Sequence, residues 1–132
     1  MATCQQRIRS HWAGRKADFT AYMDKPEVYD NGDNERGPFN EYGLAFDYVP
    51  AGTFTDQKRG FWRYQLSWGG PSDEIRFFGD PSGKVYKAEY RFMDWGDGAG
   101  LNVTDEPCVQ WLIDFFQDIG SFKHALEQAE RS

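Results

Sequence analysis

FWRYQLSWGGPSDEIRFFGDPSGKVYKAEYRFM, residues 61–93, is the stretch whose reading decides the fold. It holds three runs with a period of two, separated by Gly- and Pro-containing turns. In the first, Trp62, Tyr64, Leu66 and Trp68 share one face, and Arg63, Gln65 and Ser67 share the other. The chain resumes as EIRFF (74–78) after Gly69-Gly70-Pro71-Ser72-Asp73, then turns again at GDPSGK (79–84). The third run, KVYKAEYRFM, places Tyr86, Ala88, Tyr90 and Phe92 opposite Lys87, Glu89 and Arg91. Connections this short join antiparallel neighbours, so the segment is a meander.

Upstream, Tyr42, Leu44, Phe46 and Tyr48 alternate up to Val49-Pro50, and a strand over 42–49 is expected to pair onto the meander. PEVYDNGDNERGPFNE (26–41) lacks periodic apolar positions and reads as an exposed loop with a turn at Asn31-Gly32. Before it, Cys4, Ile8, Trp12, Phe19 and Met23 recur near the helical period, and Lys25-Pro26 ends the helix. Downstream, DWGDGAGLN (94–102) reads as the end of the sheet. A helix follows, with Thr104 as N-cap, Asp105 and Glu106 in its first turn, Pro107, and a stripe of Val109, Leu112, Ile113 and Phe116, widened by Trp111 and Phe115. Gly120 stops it, and Ser121 caps a short last helix over 122–130. The expectation is one α+β domain over 1–132. In it an antiparallel meander of three to four strands is packed by an N-terminal helix and C-terminal helices.

Phe, Trp and Tyr make up 17% of the chain, so large flat side chains dominate the core or an interaction surface. No apolar run approaches the roughly 18 residues a membrane helix needs. The N-terminus has early basic residues with no apolar stretch after them, unlike a secretory signal. Cys4 and Cys108, far apart in the chain, read as reduced thiols, and the expected location is the cytoplasm. A net charge of −6 disfavours direct binding to nucleic acid or an anionic membrane.

Catalytic and cofactor signatures are sparse. His11 and His124 stand alone on predicted helices, with no close-spaced His or Cys for zinc. Asp94-Trp95-Gly96-Asp97-Gly98 resembles part of a calcium loop without its closing Glu. No phosphate-binding Gly-Lys-Ser/Thr run and no dinucleotide fingerprint occurs. No catalytic, metal or cofactor-binding residue is therefore assigned, and no cofactor is expected. Asp73 and Glu74, as neighbours on a strand, point to opposite faces and make a poor acid–base pair. They read as solvated turn residues, or as an acidic recognition tip bounded by Trp68 and Phe77. In the helical third, Asp114 and Asp118 stand one turn apart, away from the apolar stripe. Such carboxylates either keep the surface soluble or imitate the spacing of phosphates on a nucleic acid.

FWRYQLSWGGPSDEIRFF followed by YRFMDWGDG, within residues 61–98, resembles the small accessory proteins of phages and plasmids that act against bacterial defence, of the anti-CRISPR and antirestriction kind. The resemblance implies a non-enzymatic inhibitor, several of that kind being acidic DNA mimics, but it assigns no individual residue. The partner would be a bacterial or host protein with a basic nucleic-acid-binding surface, such as a CRISPR effector or restriction enzyme, met by a monomer or dimer. On charge and turn reasoning, the candidate partner-binding residues are Asp73, Glu74, Asp94, Asp97, Asp105, Glu106, Asp114 and Asp118. Residues 1–23 and 58–93 are net positive, so plain occlusion stands beside mimicry. A small enzyme with a carboxylate pocket and a general interaction or immunity-type domain are the alternatives.

Overall fold

The structure is a computed structural model, and it describes residues 2–131. Helix α1 (Cys4–Asp24) is followed by the short helix α2 (Pro26–Asn31) and a single 3-10 turn (Phe39–Glu41). Five strands come next: β1 (Ala45–Val49), β2 (Phe61–Ser67), β3 (Ser72–Gly79), β4 (Val85–Asp94) and β5 (Asp97–Asn102). Helices α3 (Pro107–Asp118) and α4 (Ser121–Glu130) close the chain. The strands form one antiparallel sheet in the order β1-β2-β3-β4-β5. Over the described residues the architecture is thus α+β with a five-stranded antiparallel sheet and four helices, where three to four strands were expected.

The extra strand is β5, hidden in the sequence by its glycines. Ala99 and Leu101 face inward, paired with Phe92 and Tyr90, while Gly98 and Gly100 lie on the opposite face. A Cβ on Gly100 would come within 2.9 Å of Arg91 Nη1 and of the Glu89 side chain. Glycine therefore leaves room for the β4 side chains to lie across this edge strand. Three other expectations shift. The segment 26–31 is helical, with Pro26 at its first turn. Strand β1 starts at Ala45 because the chain first makes the 3-10 turn. Glu106 is the N-cap of α3, while the Thr104 hydroxyl caps the Ala88 N–H of β4 instead.

All four helices lie on one face of the sheet or at its margin. The inner face carries Phe46, Trp62, Tyr64, Ile75, Phe77, Ala88, Tyr90 and Phe92. Phe116 of α3 is the hub, with ring centroids 4.5 Å from Phe46, 5.0 Å from Tyr64 and 6.1 Å from Phe77. Phe122 of α4 packs on Trp62, whose indole N–H donates to the Phe122 carbonyl at 2.8 Å. Helix α1 begins with a capping box, Thr3 with Gln6, and lays Cys4, Ile8, Trp12, Phe19 and Tyr22 on the core.

Among the described residues no helix covers the outer face; side chains of alternating charge do. Arg63 makes a two-point bridge to Asp47 at 3.0 and 2.7 Å, Arg76 meets Glu74 at 2.7 Å, and Arg91 approaches Glu89 at 3.5 Å. Arg76 also lies 4.5 Å from the Phe61 ring centre, and Phe54 of the β1–β2 loop stacks on the same ring. Arginine stems thereby shield an otherwise bare sheet. Among the described residues no helix is long and apolar enough to cross a membrane.

Candidate functional site

The densest polar cluster lies between α1 and the sheet. The buried stripe of α1 runs through positions 4, 8, 12, 19 and 22, and Arg15 occupies the remaining slot. Its guanidinium therefore points at the sheet, where Asp73 accepts from Nε at 2.7 Å and from Nη2 at 2.9 Å. Asp73 also accepts from the hydroxyls of Ser67 at 2.5 Å and Tyr90 at 2.6 Å. Tyr42 accepts from Arg15 Nη1 at 2.9 Å and donates to Asp18 at 2.5 Å. Burial pushes the Asp73 carboxyl upward, but the donors from Arg15, Ser67 and Tyr90 outweigh it and hold the group below its ordinary value. Burial and the Asp73 charge push the Tyr90 phenol well above its own. A carboxylate holding four hydrogen bonds is not poised to take a proton. The cluster locks α1 onto the sheet.

This placement corrects the expected acidic tip. Asp73 and Glu74 are not solvated turn residues: they lie on β3 with only 4% and 3% of their surface exposed. Each is drawn in by an arginine, Asp73 to Arg15 across the inner face and Glu74 to Arg76 on the outer one. Glu106 stands at the N-cap position of α3 with its carboxylate turned to Lys16 at 2.7 Å, beside the exposed Asp105. Asp94 is bridged to Arg7 at 2.7 Å. Asp97 accepts from the backbone N–H groups of Cys4 and Gly98, each at 2.9 Å, and these hold its carboxyl below the ordinary range. The eight candidates therefore do not form one acidic face. Asp94 and Asp97 sit at the β4–β5 turn, Asp105 and Glu106 before α3, and Asp114 and Asp118 along it.

Asp114 and Asp118 acquire a context that the sequence did not reveal. They rim an open groove of about 480 Å3 between α2 and α3, floored by Tyr29, Trp111 and Phe115, with Met23 at the end of α1. Trp111 and Phe115 lie nearly parallel, 15° apart at 6.1 Å, and Tyr29 stands edge-on to both at 6.0 and 6.2 Å. Ile119 extends the apolar edge with 62% of its surface exposed. No basic side chain lines the groove. Aromatic faces attract cations, and a lysine or arginine stem packs against such rings while its head reaches a carboxylate. The sequence signal was the widening of the α3 stripe by Trp111 and Phe115. Tyr29 was missed because its six-residue helix is too short for a periodic pattern.

Among the described residues no group of His, Cys, Asp and Glu is arranged to hold a metal ion. Comparison of the chain with protein families, with curated proteins and with solved structures gives no match.

Proposed function

We propose that the protein acts by binding another protein, as a non-enzymatic inhibitor that takes a lysine- or arginine-bearing segment of its partner into the α2–α3 groove. The observation that carries this reading is the aromatic floor of Tyr29, Trp111 and Phe115 beneath the carboxylates of Asp114 and Asp118. An apolar, aromatic centre with charge at the rim is how protein interfaces concentrate binding energy. The residues that resemble phage and plasmid anti-defence proteins, 61–98, lie outside the groove. They supply only the partner class, a CRISPR effector or restriction enzyme with a basic nucleic-acid-binding surface.

The test uses purified effectors and restriction enzymes, with binding measured at low and high salt and in competition with DNA. A complex that weakens with salt, excludes DNA, and is lost in the Asp114→Lys, Asp118→Lys double variant supports the reading. Binding that survives the charge reversals in a folded protein, or absence of binding across the panel, sinks it.

A further inference from the structure

At the far end of the sheet a second feature stands apart from the groove. The β2–β3 and β4–β5 turns emerge side by side, since Ser72 pairs with Met93 and Asp94 with Asp97. Each turn carries a tryptophan in solvent: Trp68 is 75% exposed and Trp95 is 92% exposed. Leu44, hydrogen-bonded to Gln65 at the same end, is 59% exposed. Tryptophan is rarely left bare by a fold and is enriched where proteins dock. Trp95 is also badly suited to its backbone. It sits at φ +52° beside Gly96 at φ +76°, a pair of positions where two-residue hairpins favour Asn-Gly. Neither packing nor turn geometry accounts for the residue.

Between the turns is a cleft of about 430 Å3, lined by Gly69, Ser72, Met93, Asp94, Trp95 and Gly98 among others. The Asp94 side chain is only 10% exposed, and its Oδ2 is engaged by Arg7. Its Oδ1 is buried and has no hydrogen-bond partner. Both oxygens of neighbouring Asp97 are already engaged by the backbone N–H groups of Cys4 and Gly98. A buried carboxylate oxygen left open is costly unless something donates to it. With two carboxylates against Arg7, the site favours a cationic donor.

We propose that this cleft is a docking site for a lysine or arginine side chain of a partner protein, whose charged head donates to Asp94 Oδ1 while its stem lies against Trp95, with Trp68 on the adjoining turn. The proposal is independent of the groove reading. It rests on a different carboxylate, different aromatics and an unsatisfied buried atom.

The probes are N-acetyl-arginine amide, N-acetyl-lysine amide, their neutral counterparts N-acetyl-citrulline amide and N-acetyl-norleucine amide, and calcium chloride. Each is titrated into the 15N-labelled full chain while the tryptophan indole N–H signals are followed, assigned with single Trp→Phe variants. The expected result is a saturable shift of the Trp95 signal with the cationic probes, about tenfold tighter than with the neutral ones, as a charge-assisted hydrogen bond predicts. Asp94→Asn should weaken it by about the same factor. Because that change also frees Arg7, Trp95→Asn provides a second variant that keeps the turn; followed at the Trp68 indole signal on the adjoining turn, it should abolish the discrimination. Equal affinity for charged and neutral probes, a response to calcium alone, or no shift of the Trp95 signal overturns the proposal. The Trp111 signal reports the groove in the same spectra, so failure at one site is read separately from failure at the other.

Discussion

Replacing Asp73 with Asn keeps the shape of the side chain and removes its charge, which makes it the sharpest probe of how α1 is held. In the folded protein the carboxylate is 4% exposed and takes hydrogen bonds from Arg15, Ser67 and Tyr90. Asn at this position leaves the Arg15 guanidinium facing an amide across a largely buried contact. Breaking one partner of a buried pair costs about 3–5 kcal/mol. The Arg15 side chain is 24% exposed and can recover some hydration, so the lower end applies, about 3 kcal/mol. For a chain of this length that is a fall in Tm of about 10 °C.

The pH dependence gives the claim a second edge. The folded Asp73 carboxyl titrates below its ordinary value of 3.8, so its charge stabilises the protein above that pH. The contribution is lost as the pH falls through the lower folded value. Urea unfolding, followed by far-UV circular dichroism, should therefore show a large gap between the native protein and Asp73→Asn at neutral pH. The gap should narrow below pH about 4, where protonation makes Asp73 resemble Asn. A double-mutant cycle with Arg15→Met should return a coupling of about 1 kcal/mol or more. A gap under about 1 kcal/mol at neutral pH, or one that does not change with pH, would refute the lock.

Trp95→Asn should stabilise the protein by about 1 kcal/mol, since Asn accepts a positive φ more readily and the indole is almost wholly in solvent; chemical denaturation reads this directly, and a loss of stability would mean that Trp95 packs on the fold. Gly43→Ala should cost about 1–3 kcal/mol by overpacking, because a Cβ there collides with the buried Tyr64 ring; a neutral result would show that the Tyr64 side of the core yields freely. The thiols of Cys4 and Cys108 are each 1% exposed and pushed up by burial, so both should resist a thiol reagent at pH 8 until denaturant is added. Prompt labelling of either would contradict that packing.

The meander was legible because period-two alternation is a direct consequence of strand geometry, and residues 61–93 keep it nearly unbroken. β5 was not, because its inward residues are only Ala99 and Leu101, with glycine at 98 and 100, and the need for Gly100 lies in Arg91 and Glu89 on the neighbouring strand. The same limit applies to charge. Counted along the chain, residues 1–23 and 58–93 look basic. In space, Arg7, Arg15, Arg63, Arg76 and Arg91 are each turned onto a carboxylate, and Glu74 and Asp73 are removed from the surface altogether. Arg15 was the one readable clue, a charged residue in a helical position where the stripe calls for an apolar one. The groove was legible only in part, through Trp111 and Phe115 beside the α3 stripe, since its other wall comes from α2, whose proximity to α3 is a tertiary fact.

Helix α1 also sets the distance between the two proposed docking sites. Arg7 is bridged to Asp94 at the sheet end, and Met23 lines the groove. At 1.5 Å per residue they are about 24 Å apart along the helix. A standard interface buries about 800 Å2 on each partner, a patch roughly 30 Å across. If both open to one side, a single partner spans them, and a second site then raises affinity by effective concentration without any new kind of contact. The energetics separate the arrangements. Sites this far apart with no shared residues behave independently within the protein. If one partner uses both, Asp94→Asn and Asp114→Lys weaken the same complex and their losses combine. If the sites serve different partners, each variant removes its own complex and leaves the other at full strength.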